Sequence, residues 1–118
     1  MTDRTREQLE RLLETDGDAV DILSALTAEA LDEIAVRHIP PATVARDVFR
    51  VWQINPSRAL VLLAALGFPN EPQVRIAARC GVSVRTVKRT LAEYRGRLPW
   101  VDALADIRFA MQKRRRDG

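Results

Sequence analysis

The residues in this chain best suited to chemistry are arginines at helical spacing. Arg85 and Arg89 stand four apart in the run VSVRTVKRTLAEYR, with Lys88 between them. Residues four apart share one face of a helix, so two planar guanidinium forks point the same way. Such a fork matches the O6 and N7 edge of guanine. From Gln73 to Arg97 the chain holds seven basic residues (Arg75, Arg79, Arg85, Lys88, Arg89, Arg95 and Arg97) against Glu93 alone. That local excess of positive charge suits a polyanionic partner.

Other chemistries find little support. The one cysteine, Cys80, excludes an internal disulfide and a Cys-rich zinc site, and its place on an apolar stripe marks it as a small core residue. His38 is the only histidine and has no second ligand at helical spacing. A calcium loop starting at Asp16 would put Asp21 where Gly is required and Thr27 where a bidentate Glu belongs. No phosphate-cradling loop and no nucleophile–base pair stands out. The expectation is a protein that is not an enzyme and needs no metal or cofactor.

The elements that must hold the arginines can be read from the apolar spacing of QVRIAARCGVSVRTVKRTLAEYR, residues 73–95. Val74, Ile76, Ala77 and Cys80 predict one helical stripe; Val82, Val87 and Leu91 predict a second. Ala77 is small enough for a crossing helix to approach its backbone. Gly81 ends the first helix, because glycine takes a left-handed turn without steric cost. Ser83 is a good N-cap for the next helix. Two crossing helices joined by a short Gly-containing turn form the DNA-binding helix-turn-helix, whose second helix enters the major groove.

The run from Ile76 to Arg89 resembles the bacterial helix-turn-helix pattern of LuxR-type regulators, sigma-factor region 4 and lac-repressor-type proteins, and with its flanks the match extends over about 22 residues. It departs from the pattern at Thr90, where a buried aliphatic is usual; Leu91 is expected to take over that packing. The resemblance implies double-stranded DNA as partner, with base-reading positions at Val84, Arg85 and Arg89. Val84 would touch a thymine methyl. Ser83, Thr86 and Lys88 are expected to hold phosphates, which fixes register without reading sequence. Gln73 and Arg75 open the first helix of the pair, an end suited to a phosphate. The terminal cluster Lys113, Arg114 and Arg115 is a further phosphate-binding candidate.

The rest of the chain reads as support. Helices are expected over Thr5–Glu14 and from Asp18 through Leu26. Another, capped by Thr27, would turn Leu31, Ile34 and Ala35 inward and stop at Pro40-Pro41. Pro41 opens a helix carrying Val44, Val48, Phe49 and Trp52. Asn55 caps the next, with Pro56 as its first residue, and Ala59–Leu66 is apolar nearly all round, so that helix should be central. Gly67 and Pro69 end it. Pro99 starts a last helix whose inner stripe is Val101, Leu104, Ile107 and Met111, with Arg108 reaching outward to solvent and Phe109 off the stripe. Trp52 and Trp100 are expected to pack in the core or at its edge. No segment alternates with period two. The expected fold is all-α, of six to eight helices, with a non-winged tri-helical helix-turn-helix unit.

The 118 residues are 47% hydrophobic and 30% charged, ordinary for a soluble globular chain. No run approaches the roughly 18 apolar residues of a membrane span, and the charged N-terminus lacks the apolar centre of a signal peptide. A cytoplasmic location is expected. The net charge of +3 hides an asymmetry: residues 1–36 hold ten acids and three bases, residues 37–118 sixteen bases and six acids. Residues 1–55 therefore read as an acidic helical appendage for dimerisation or partner binding, and 56–118 as the DNA-binding unit with its basic tail. A homodimer is expected, since one recognition helix reads only a few base pairs. The functional expectation is a transcriptional regulator. A phage or plasmid accessory protein (small terminase subunit, excision, replication or partition factor) fits the same features. A protein-interaction module without DNA binding is the reading from outside that class.

Overall fold

The computed structural model describes residues 30–117, with side chains through Arg114. The helices expected over Thr5–Glu14 and Asp18–Leu26, and the Thr27 cap, lie outside the described residues. The described chain is helical throughout and contains no strand. Residues 30–36 form α1. It is followed by α2 (Pro41–Ile54), α3 (Pro56–Gly67), α4 (Gln73–Cys80), α5 (Val84–Tyr94) and α6 (Pro99–Asp117). None of the described helices is long and apolar enough to cross a membrane.

The joints are set by residues whose backbone preferences leave little choice. Pro40 is extended (φ −67°, ψ 146°) and Pro41 is the first residue of α2, a place where its missing N–H removes no helical bond. Before it, His38 takes φ 66° in the turn that ends α1. Asn55 accepts at its side chain from the Arg58 N–H at 3.3 Å, with Pro56 just inside α3. Phe68 donates back to the Ala64 carbonyl at 2.8 Å as α3 ends, and Pro69 prevents continuation. Gly96 lies at φ 91° between α5 and α6.

All eight residues from Ala59 to Leu66 are fully buried. A helix can bury its whole girth only if neighbours surround it, and α2, α4 and α5 all pack on α3. Each buried Leu or Val there contributes about 1.5–3 kcal/mol through removal from water. One apolar cluster runs from Ala30 to Met111, across Asn55. Within it Asp47 of α2 accepts from Trp100 Nε1 of α6 at 3.0 Å, in a buried pair 53 residues apart in sequence. The fully buried Trp100 thus joins α6 to α2, and Arg37 with Asp106 adds an exposed ion pair near the end of α1.

Several side chains depart from the sequence reading. Arg108 is not turned to solvent; it is 5% exposed. Val74 is exposed rather than part of the α4 stripe, which consists of Ile76, Ala77 and Cys80. Ala30 replaces Ala35 on the inner face of α1. Thr90 fills its own buried position, with its hydroxyl donating to the Thr86 carbonyl at 2.8 Å, and Leu91 packs beside it half-buried. Phe109, by contrast, lies off the α6 stripe as expected, and it is exposed.

Candidate nucleic-acid interface

The turn between α4 and α5 is built from three residues with distinct tasks. Gly81 sits at φ 66°, ψ 35°, the left-handed region, and its N–H points back at the end of α4. Val82 N–H then bonds the Ala77 carbonyl, five positions back, at 3.1 Å, which closes the helix end. Val82 itself packs half-buried against the core. Ser83 is extended (φ −75°, ψ 156°), and its Oγ accepts from the Thr86 N–H at 3.1 Å. The path of α5 is therefore fixed at its first turn. Behind it, Cys80 donates its thiol to the Leu60 carbonyl at 3.4 Å, tying the end of α4 to α3.

Inward, α5 buries Val87 and Thr90, with Tyr94 half-buried a turn later. On the opposite face, at i, i+3 and i+4, lie Arg85, Lys88 and Arg89, all exposed. Of the expected base-reading trio, Arg85 and Arg89 stand in the open, whereas Val84 is half-buried and packs against the core. Among the expected phosphate ligands, Ser83 is exposed and Thr86 half-buried, with their hydroxyl oxygens 3.0 Å apart. Arg75 is exposed on the first turn of α4 and Gln73 half-buried at its start. No side chain caps that helix, whose N-cap is Pro72. Lys113 and Arg114 are exposed near the end of α6; the Arg115 side chain lies outside the described residues.

Ion pairing divides the cations into two sets. Arg79 is held by Glu71 through Nε at 2.6 Å and Nη2 at 2.8 Å, and it stacks over the Phe68 ring at 3.7 Å. Arg97 pairs with Glu93 at 3.3 Å, Arg58 pairs with the same carboxylate, and Arg95 lies 3.7 Å from Asp102. By contrast, Arg75, Arg85, Lys88 and Arg89 form no ion pair among the described residues. Among the described residues, the exposed cations without an ion pair thus include those on the outer face of α5 and the first turn of α4, together with Arg46 and Arg50 of α2 and Lys113 and Arg114 of α6.

Sequence reasoning missed one feature beside this surface. A cleft of about 1130 Å³ opens between the start of α4, the Lys88–Arg95 side of α5 and α6, and Arg108 lines it. Burial pushes the Arg108 guanidinium below the usual arginine range, while the negative Glu71 opposes that shift. A signal was present: Val101, Leu104, Arg108 and Met111 are spaced three, four and three apart, an inward-facing pattern that an arginine obscures.

Comparison with protein-family models, with curated proteins and with solved structures finds no match to this chain.

Proposed function

We propose that this chain binds double-stranded DNA in a sequence-specific manner, with α4 and α5 as a helix-turn-helix, α3 completing a tri-helical unit, and α5 lying in the major groove. The observation that carries the reading is the set of exposed cations Arg85, Lys88 and Arg89 on the outer face of α5, which form no ion pair among the described residues, whereas Arg79, Arg95 and Arg97 nearby are tied to acids. The left-handed Gly81 turn and the Ser83 cap support it, because they aim that face away from the core. Arg85 and Arg89 read guanine edges; Lys88 and Arg75 hold flanking phosphates, as Lys113 and Arg114 do from α6. The half-buried Val84 has a smaller part in base contact than the two arginines.

Transcriptional regulation, by a cytoplasmic homodimer reading two half-sites about one helical turn apart, is the role that best fits this recognition mode. A phage or plasmid accessory factor would use the same surface. The test is selection of bound fragments from a random duplex library. The reading predicts enrichment of a G-containing motif whose preference relaxes in Arg85→Ala and Arg89→Ala. Recovery of no motif from the unaltered chain would contradict sequence-specific recognition.

A further inference from the structure

We propose that the cleft between α4, α5 and α6 is a binding site for a small amphipathic carboxylate, held by Arg108. The guanidinium is the reason. Arg108 is only 5% exposed, and its Nη1 has no hydrogen-bond partner among the described residues. An unpaired buried cation is costly, and native structures rarely leave one without a counter-ion. The negative Glu71 attracts Arg108 in part, but both its oxygens accept from Arg79.

The surroundings say what the counter-ion looks like. Arg75 and Lys88 line the same cleft and have no acidic partner among the described residues, while Arg95 beside them faces Asp102. The start of α4, with no side-chain cap, borders it as well. These groups favour an anion. Leu91, Val101 and the exposed Phe109 supply apolar wall, which a bare inorganic ion would leave wet. A carboxylate on an apolar body satisfies both halves, and a planar carboxylate matches the arginine fork. The volume, about 1130 Å³, is slightly above the usual range of small-molecule sites, which run to about 1,000 Å³. Lys88 also belongs to the outer face of α5, so an occupied cleft would withdraw one cation from that face.

The site stands whether or not the chain binds DNA, and its test contains none. Phenylacetate, its neutral analogue phenylacetamide, octanoate and inorganic phosphate are titrated into the full chain at neutral pH, followed by calorimetry and thermal melting. The two carboxylates are expected to bind and raise Tm; phenylacetamide is not, and phosphate binds more weakly than octanoate. Arg108→Met should weaken carboxylate binding about tenfold or more while melting no lower than the unaltered chain without ligand, since it removes an unpaired buried charge. Should that variant fail to fold, Arg75→Ala with Lys88→Ala, both at exposed positions, is expected to weaken the same binding. Equal binding of phenylacetate and phenylacetamide, absence of binding by either carboxylate, or undiminished binding in a folded Arg108→Met would overturn the proposal.

Discussion

Arg85, Lys88 and Arg89 lie within five residues of one another yet have different expected tasks. A bidentate arginine–guanine contact discriminates by about 1–3 kcal/mol per base pair. Arg85→Ala and Arg89→Ala should each lose specificity of that size at one position, measured as the ratio of affinities for matched and singly mismatched duplexes. Lys88→Ala should lower both affinities alike and leave the ratio unchanged. Equal losses of specificity from all three would refute the division of roles. At the same scale, the buried Trp100–Asp47 hydrogen bond is a point of stability. Asp47→Ala strands the indole N–H and should cost about 1–3 kcal/mol in urea denaturation. This pair could not be read from sequence, because its members come from α2 and α6. Arg108 was misread for another reason. Its charge argued for solvent, and the spacing of its neighbours argued for burial.

At the scale of the element, local chemistry was largely legible. Pro41, the Asn55–Pro56 pair, the Gly81–Ser83 turn and Pro99 each mark a helix end as expected, because caps and ring constraints act within a few residues. Two predictions follow from that turn. Gly81→Ala forces a Cβ into the left-handed region and should destabilise by roughly 1–2 kcal/mol. Ser83→Ala removes the acceptor for the Thr86 N–H and should cost about 1 kcal/mol. Both are checked by thermal or urea unfolding, and no loss in either would show that the turn does not constrain α5. The Thr90 departure from the resemblance is resolved by hydrogen bonding within α5: the hydroxyl finds the Thr86 carbonyl, so a polar residue is accommodated in a buried position.

For the whole molecule, the one apolar cluster from Ala30 to Met111 makes α2 and α6 part of the support for α5. The division of charge along the chain was legible from counting alone, but its distribution over the surface was not. That distribution depends on which arginines meet acids, and partners such as Arg58 and Glu93, or Arg37 and Asp106, are brought together only by the fold. Among the described residues the outer face of α5 and the first turn of α4 carry cations without ion pairs, and the central claim is that this face binds duplex DNA. The most direct measurement is the affinity for a non-specific duplex, by fluorescence anisotropy, as a function of salt. Four phosphate contacts, from Arg75, Lys88, Lys113 and Arg114, predict that log affinity falls with log salt with a slope of about −3 to −4, and that Arg75→Ala with Lys88→Ala makes the slope shallower by about 2. Absence of binding at low salt, or binding indifferent to salt and to those two substitutions, would contradict it.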